Sequence, residues 1–366
     1  MGRVTQKAVE ETAELFQAAG LGQVTWEAAL DGLAAVTGST GGQLIGLGSG
    51  ATVPVNVMTG VPAETGEAFV AVGGGDPAIN SRVRTGLQAA ELEVLDETAF
   101  TTEADMRLNP EYAGWIRAWD MHHTCLTNLV KAPDQHAGLA LLRSERQGNV
   151  DDEQKRAFAV LARQARAAVR TRMALEAQGM QLLAGAMEAV RATAFFCDAV
   201  GRVRGMTASA EALLSAGDVL RLNRGVLTTA CEADRRGLEV ALAEAVAGGA
   251  PVHAVAARRL RTDDRVFIEA APLPVSGAPG FGPRALVIVH GPGADEARVA
   301  VAAGALYGLS ASEAAIAAQL AAGRSPAAIA HERRVSLGTV RTQVRRIYEK
   351  VGVTSQLELA ARLPRL

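Results

Sequence analysis

The sequence has little of several features that would assign it to common classes of protein. Its 366 residues include 3 cysteines, and aromatic residues make up 4%. Cys125, Cys197 and Cys231 are odd in number and widely spaced, so they predict neither a disulfide framework nor a CxxC metal pattern. There is no apolar run of the roughly 18 residues that a membrane helix needs, and the first residues lack the apolar segment of a signal peptide. Because Gln6 stands where a myristoylation motif needs Ser or Thr, no lipid anchor is expected either. We expect a cytoplasmic protein.

Motifs of hydrolytic, nucleotide-binding and metal-dependent catalysis are also missing: the sequence has no GxSxG, no Walker A and no HExxH. The stretch His122-His123-Thr124-Cys125 is the one cluster of metal-ligand types. Adjacent residues of a strand point to opposite faces, so we expect one histidine at the surface and one in the core, not a shared ion. Asp151-Asp152 begins a long helix, which argues against a phosphorylated receiver domain. No catalytic site, metal or cofactor is predicted.

What the chain does carry is an uneven distribution of charge. The formal net charge of the whole chain is −2. From Ala305 onward there are nine basic and four acidic residues, which gives this segment +5 and leaves −7 for the remainder. A basic terminal unit on an acidic body predicts phosphate contact by that unit alone. With 49% hydrophobic and 21% charged residues, a chain of this length is expected to form two or three globular domains.

The basic segment contains the start signals of four short helices. Ser310 and Glu313 form a capping box, Ser325-Pro326 opens a second helix, and Ser336 and Ser355 can cap a third and a fourth. The third helix has inward-facing apolar residues at a spacing of four, three and four, which are Val340, Val344, Ile347 and Val351. Its solvent-facing residues are then Thr339, Arg341, Thr342, Arg345 and Arg346. Two short helices, a turn near Val335-Ser336 and a basic second helix predict a helix-turn-helix.

This segment resembles the LuxR-type (GerE-type) DNA-binding domain from about Ala305 to Leu363. The shared positions are Leu309-Ser310, Glu313, Gly323, Ile329-Ala330, Val335-Ser336, Thr339-Val340-Arg341 and Lys350-Val351-Gly352-Val353. Gln343 stands where the family often has His, and Gln356 where it often has Arg. The resemblance implies a bacterial transcriptional regulator whose third helix enters the major groove of double-stranded DNA, with the protein acting as a homodimer.

The resemblance also implies which side chains contact DNA. Those expected to reach base edges are Arg341, Thr342 and Arg345. Those expected to contact phosphates, or to orient against them, are Ser325, Thr339, Gln343, Arg346 and Lys350. RNA polymerase is a further candidate partner, and the location implied is the cytoplasm, in association with the nucleoid.

Residues 1–150 predict helices around an antiparallel sheet. Helices are expected at Thr5–Ala19, Trp26–Val36 and Ala63–Val70, and strands at Gly41–Leu47, Val53–Met58, His122–Lys131 and His136–Arg143. Asp76-Pro77 and Asn109-Pro110 each read as a cap followed by proline at the start of a short helix. With Glu111-Tyr112, Leu139 and Leu142-Arg143, this arrangement resembles GAF-like sensor domains. The resemblance implies a sensing role and leaves the ligand unidentified.

Residues 151–190 predict one long linker helix. Phe158, Leu161, Ala165, Ala168 and Leu175 follow a rough 3-4 spacing. This face is expected to pack on its own sheet, to form a dimer seam, or to do both.

Residues 191–293 predict a second antiparallel unit. Strands are expected at Ala194–Asp198, Arg202–Met206, Val252–Arg259, Arg265–Ala271 and Ala285–His290, with helices at Ala208–Leu214 and Glu232–Ala247 and an apolar segment at Asp218–Thr229. The order of elements and the phrase Phe196–Val203 resemble a PAS domain, although Thr207 stands where that family usually has Asn. Residues 294–304 are then a linker helix, and residues 305–366 the DNA-binding domain. The predicted fold class is α+β multidomain: two antiparallel-sheet sensor domains joined by a long helix, followed by an all-α four-helix domain.

Two alternatives stay open at this stage. The first is a sensor or adaptor protein that acts through protein–protein contacts, with DNA binding secondary. The second is an enzyme that processes a small molecule in the GAF-like unit, for which the sequence offers no catalytic set. The identity of the signal is not readable from the sequence.

Overall fold

The computed structural model describes residues 4–48, 51–100, 103–132, 135–248, 252–261, 265–273, 281–290 and 292–363. The sequence also predicts a turn at Gly48-Ser49-Gly50 and a Pro/Gly-rich turn at Pro274–Pro283; residues 49–50 and 274–280 of these turns lie outside the described ranges. Two compact units are present, the first made of Met1–Gln181, Asp198–Val200 and Leu273–Arg284, and the second of Leu182–Cys197, Gly201–Pro272 and Ala285–Leu366.

The first unit is built from helices around one antiparallel sheet. Its helices are α1 (Gln6–Gly20), α2 (Trp26–Thr37), α3 (Glu64–Ala71), α4 (Ser81–Gln88), α5 (Glu103–Leu108), α6 (Pro110–Ala118) and the first part of α7 (Asp152–Ala189). Its strands are β1 (Gly41–Gly48), β2 (Val55–Met58), β3 (Leu95–Asp96), β4 (His123–Ala132) and β5 (Gln135–Arg143), which pair in the order β2-β1-β5-β4-β3. The antiparallel sheet and the long helix predicted here are confirmed; α5 and the short β3 were not predicted.

The two faces of this sheet carry two different hydrophobic clusters. One cluster joins Leu44 and Leu139 of the sheet to Trp26 of α2 and Phe158 of α7. The other, on the opposite face, contains Leu142 with the aromatic residues Phe69, Tyr112 and Trp115. Alternation along each strand explains the division, because neighbouring side chains point to opposite faces.

Helix starts in this unit follow local capping rules. The Thr5 and Thr25 hydroxyls each accept a hydrogen bond from a backbone N–H of the first turn, at 3.3 Å. The prediction that Asp76 caps a helix is wrong: Asp76 closes a turn, and the Asn80 side chain caps α4 by accepting from Arg82 N and Val83 N. Pro77 lies in that turn, and the capping residue of α4 follows three positions later in the sequence.

The surroundings of the histidine pair also differ from the prediction. His122 and His123 are both half-buried, so the expectation that one lies in the core is wrong. His123 Nδ1 lies 2.9 Å from Asn149 Oδ1, and His122 Nε2 lies 3.8 Å from Asp120 Oδ1. Each ring therefore has its own polar neighbour at the edge of the sheet.

Helix α7 changes environment along its length. Its first half is buried against the first sheet at positions that include Phe158, Leu161, Ala165 and Ala168, which confirms packing on its own sheet. In its second half Leu175 and Leu182 are 43% and 71% exposed. Within the described ranges, no helix combines the length and apolar character that crossing a bilayer requires.

The second unit contains another antiparallel sheet and the C-terminal helices. Its strands β6 (Thr193–Cys197), β7 (Val203–Met206), β10 (His253–Arg258), β11 (Arg265–Pro272) and β12 (Ala285–His290) pair in the order β10-β11-β12-β6-β7. The segment 218–229 forms a separate hairpin of β8 (Leu220–Asn223) and β9 (Val226–Thr229). The helices are α8 (Ala208–Ala216), α9 (Arg235–Ala247), α10 (Pro292–Tyr307), α11 (Ala311–Ala321), α12 (Pro326–Arg333), α13 (Leu337–Val351) and α14 (Gln356–Arg362).

Thr207 has a structural task in this sheet. Its hydroxyl donates to Ala192 O at 2.9 Å and accepts from Ala194 N at 3.0 Å, while it makes no cap bond to α8. It therefore fastens the start of β6 to the end of β7. The side chain is 2% exposed, so its hydrogen bonds satisfy groups that water does not reach.

Candidate nucleic-acid interface

The C-terminal helices pack around one small apolar core. Ile316 and Leu320 of α11, Ile329 of α12, and Val340 and Ile347 of α13 are each 0% exposed. Val344 is half-buried against the same cluster, and Val351 is buried, as their spacing predicts. In α14 the sequence predicts an apolar face of Leu357, Leu359, Ala360 and Leu363; Leu359 and Leu363 are buried, but Leu357 is 81% exposed.

Each helix of this unit begins at a capping residue. The Ser310 hydroxyl accepts from Glu313 N and the Glu313 carboxylate accepts from Ser310 N, which completes the predicted capping box. Ser325, Ser336 and Ser355 cap α12, α13 and α14 through their hydroxyls. Between α12 and α13 the chain turns at Arg334, whose φ of 53° is left-handed, and Val335 N donates back to Ala330 O. The predicted turn is therefore present.

The surface of α13 divides into three stripes. At about 100° per residue, the buried residues Val340, Val344, Ile347 and Val351 lie on one side. A second stripe holds the adjacent residues Arg341 and Thr342 together with Arg345, which lies four and three positions after them; all three are exposed. The third stripe holds Thr339, Gln343, Arg346 and Lys350. On α13, the residues predicted to reach bases and those predicted to contact phosphates thus occupy separate faces; Ser325, the remaining residue predicted to contact phosphates, caps α12.

The three residues predicted to contact bases form the second stripe, which lies opposite the buried side of α13. Among the described residues the Arg341 guanidinium has no hydrogen-bonding or ionic partner, and Arg345 lies 3.7 Å from Glu349 in an exposed i,i+4 pair. The Thr342 hydroxyl donates to Gly338 O at 3.0 Å, and the residue is exposed. Exposed pairs of the Arg345–Glu349 kind contribute little, so both guanidinium groups are free to bind another molecule.

The residues predicted to contact phosphates have more varied surroundings. Ser325 is occupied as the cap of α12, and Thr339 Oγ1 lies 2.8 Å from Ser336 Oγ. Gln343 Nε2 lies 3.5 Å from Ser312 Oγ. Within the described part of the chain Arg346 has no partner, so its charge is fully available.

Lys350 has a structural partner that the sequence pattern did not reveal. Its ammonium donates to Glu313 Oε2 at 2.7 Å and points toward Gly308 O at 3.4 Å. The Glu313 side chain is 9% exposed, whereas that of Lys350 is 42% exposed. The bond from Lys350, together with the backbone N–H of Ser310, lowers the pKa of Glu313 to about 2. Lys350 therefore connects the last turn of α13 to the first turn of α11.

Two further polar residues hold this unit together. Gln356 Nε2 donates to Leu320 O at 2.7 Å and to Arg324 O at 3.0 Å, which satisfies one carbonyl in the last turn of α11 and one in the turn that follows it. Arg324 pairs with Glu296 of α10 at 3.0 Å and also with Glu332 of α12. Ala303 of α10 is 0% exposed in the same core, so α10 is part of the packing of the helical unit. These contacts could not be read from the sequence, because each joins residues of different helices or turns.

Comparison with known protein families finds a match in the C-terminal helices. Residues 308–363 match the family described as bacterial regulatory proteins, luxR family (GerE). This segment of the chain is a LuxR-family helix-turn-helix domain. No curated protein matches the chain.

Among solved structures, similarity is found to the one titled "Crystal Structure of the E.coli DhaR(N)-DhaL complex". The identity is 13%, the TM-score is 0.24, and the alignment covers 78% of this chain and 90% of that one. A superposition this poor bears on neither the fold nor the function of the present chain.

Proposed function

We propose that the chain is a bacterial transcription regulator that reads the major groove through α13, binds DNA as a homodimer and is controlled by its N-terminal sheet-containing units. The observation that carries this proposal is the exposed Arg341–Thr342–Arg345 stripe on the third helix of a LuxR-family domain. Arginine is suited to this task because its guanidinium can donate two hydrogen bonds to guanine O6 and N7. The two antiparallel sheets support, as part of the proposal, GAF-like and PAS-like sensor domains in a cytoplasmic protein.

The division between base-reading and phosphate-contacting residues can be tested with two arginines. Arg345 and Arg346 are neighbours on α13, equal in charge and both exposed, yet they lie on different stripes. A binding site is first selected from random DNA, and affinities for this site and for random DNA are then measured by fluorescence anisotropy over a range of salt concentrations. Arg345→Ala is expected to reduce discrimination between the two by about 1–3 kcal/mol. Arg346→Ala is expected to weaken binding to both alike and to lower the salt slope by about 1.

A matched control is Arg236→Ala, which removes an exposed arginine from α9 and should change neither quantity. Equal losses on selected and random DNA for both Arg345→Ala and Arg346→Ala would contradict the proposed division of tasks. No binding to any DNA at low salt would instead favour the alternative of an adaptor that acts through protein contacts. A gel shift on the promoter region of the gene itself gives the same decision in its native context.

A further inference from the structure

The first sheet has a cavity on the face that carries the aromatic cluster. The cavity lies between this face and helices α3, α4 and α6, and about 70 Å³ of it is open to the centres of water-sized molecules. In that measure a single water needs about 10–15 Å³. The cavity therefore has room for several waters or one small organic molecule.

Most of the wall is apolar. Side chains that line it include Ile45, Leu47, Phe69, Val83, Leu126 and Leu142. Trp115 also lines the cavity, but its Nε1–H already donates to Thr65 O at 3.2 Å. The ring of Trp115 can thus offer a ligand only apolar surface, as does the edge-on ring of Phe69, 5.3 Å away between centroids.

The charged groups in the wall are already compensated. The Arg82 guanidinium donates to Glu97 Oε1 at 3.1 Å and to Met121 O at 2.7 Å. Burial and the nearby Lys131 ammonium lower the pKa of His136, which favours its uncharged form. A charged ligand would lose its hydration on entry and find no unpaired opposite charge, which makes its binding unfavourable.

The amide side chains in the wall are also occupied. Gln43 donates to Asn56 Oδ1 at 2.7 Å, Asn128 to Gly86 O at 2.6 Å, and Asn80 to Gly74 O at 2.7 Å. These bonds fix the wall before any ligand arrives. They leave little polar capacity for the cavity contents.

One polar atom differs from the rest. Thr124 Oγ1 is buried and has no hydrogen-bonding partner within the described part of the chain, and the residue is 4% exposed. In the sheet Thr124 lies opposite Leu142, which belongs to the aromatic cluster, so its side chain faces the cavity. A buried hydroxyl left unpaired is costly, and a ligand could satisfy it.

Thr127 gives an internal comparison on the same strand. Its hydroxyl is also buried and unpartnered among the described residues. However, Thr127 pairs with Leu139, whose side chain belongs to the cluster on the opposite face of the sheet. Of these two threonines, Thr124 lies on the face of the sheet that carries the cavity and Thr127 on the opposite face, although both residues contribute atoms to the wall.

We propose that this cavity binds an uncharged, largely apolar small molecule whose single hydroxyl or carbonyl group forms a hydrogen bond with Thr124 Oγ1. The inference goes beyond the proposed function, because it names the chemical class of the ligand. Binding is a property of the first unit alone and does not depend on DNA.

The test uses calorimetric titration of the full-length protein with three probes of one shape. These are p-cresol, toluene, which lacks the hydroxyl, and p-toluate, which is anionic. p-Cresol should bind at one site per chain. Toluene should bind about five-fold more weakly, because it lacks the contribution of one hydrogen bond. p-Toluate should give no detectable heat of binding. Thr124→Val should bring p-cresol down to the affinity of toluene, whereas Thr127→Val should keep the five-fold preference.

Two more variants guard against a fold defect in Thr124→Val, which circular dichroism would reveal. Thr124→Ser retains the hydroxyl and should retain the preference for p-cresol. Ala140→Leu fills the cavity from β5 and should remove binding of both neutral probes. The proposal is overturned by equal binding of p-cresol and toluene, by binding of p-toluate as tight as that of p-cresol, or by no binding at all. Because DNA is absent from these titrations, such a failure would leave the DNA-binding proposal untouched.

Discussion

At the scale of single residues, Glu313 combines two tasks that are usually separate. Its carboxylate completes the capping box of α11 and also pairs with Lys350 at the far end of α13. The side chain is nearly buried, so both bonds form where water competes little. Glu313 therefore links the start of α11 to the end of α13, the helix proposed to read DNA.

The pH dependence of that link has a definite sign. The pKa of Glu313 falls from an ordinary 4.5 to about 2 in the folded protein. A lowered folded pKa means that the stabilisation is complete above pH 4.5 and is lost as pH falls toward 2. Glu313→Gln should accelerate hydrogen–deuterium exchange in α11 about ten-fold at pH 7, corresponding to about 1.4 kcal/mol. The gap between variant and native protein should narrow between pH 5 and 2, after correction for intrinsic exchange rates.

The control for this experiment is Glu349→Gln, because Glu349 is an exposed carboxylate with a loose 3.7 Å contact to Arg345. Its effect on the stability of α11 should stay below about 0.5 kcal/mol. If the effect of Glu313→Gln had the same size at pH 7 and pH 2, ionisation of Glu313 would not be its cause.

At the scale of elements, the sequence predicted what local rules decide. The starts of α1, α2, α11 and α13 depend on a Ser or Thr hydroxyl within three residues of the N–H that it caps, so they could be read directly. The inward residues of α13 followed from spacing in the same way. The segment 218–229 was harder, since a short hairpin with few apolar residues has no strong period.

Contacts between distant residues could not be read from the sequence. The family resemblance predicts that Lys350 contacts phosphates, but its bond to Glu313, 37 positions earlier in the chain, could not be read from any local pattern. The cavity at Thr124 is set by the register of β4 against β5 and by three helices, none of which a local pattern reveals. The exposed stripe of α13 was therefore predictable, whereas the bond between Lys350 and Glu313 that holds α13 against α11 was not.

The end of α11 provides an element-scale prediction. Gln356 on α14 donates to Leu320 O in the last turn of α11 and to Arg324 O in the turn that follows it. Gln356→Ala should weaken the last turn of α11 by about 1–2 kcal/mol, because these carbonyls lose their donor. Gln356→Glu should be more harmful, since a carboxylate would face the negative end of the helix dipole. Amide exchange of peptides from α11 measures both effects.

A neighbouring residue separates this effect from general damage to α14. Leu357 is 81% exposed, and Leu357→Ala should change α11 by less than about 0.5 kcal/mol. If Leu357→Ala and Gln356→Ala had equal effects, the hydrogen bonds to α11 would not be the reason for the loss.

At the scale of the whole molecule, the proposed homodimer assigns a role to the second half of α7. Leu175 and Leu182 lie seven residues apart, so they share one face of the helix, and both are substantially exposed. Facing apolar residues at such a spacing form the seam of a two-helix coiled coil. A dimer held in this way would present two copies of α13 to two half-sites about one helical turn apart on DNA.

Leu182→Arg should therefore shift the protein from dimer toward monomer in sedimentation velocity experiments, because a buried charge at the seam is unfavourable. The affinity of this variant for DNA with two half-sites should fall to nearly that for one half-site, while binding to one half-site should not change. Leu108→Arg is the matched control: Leu108 is 77% exposed on α5, and its replacement should leave both the dimer and DNA binding intact. A native protein that sediments as a monomer, both free and on DNA with two half-sites, would refute the dimer. If the Leu182→Arg variant remained a dimer, the dimer interface would lie on another surface of the protein, and that surface would set the spacing of the half-sites.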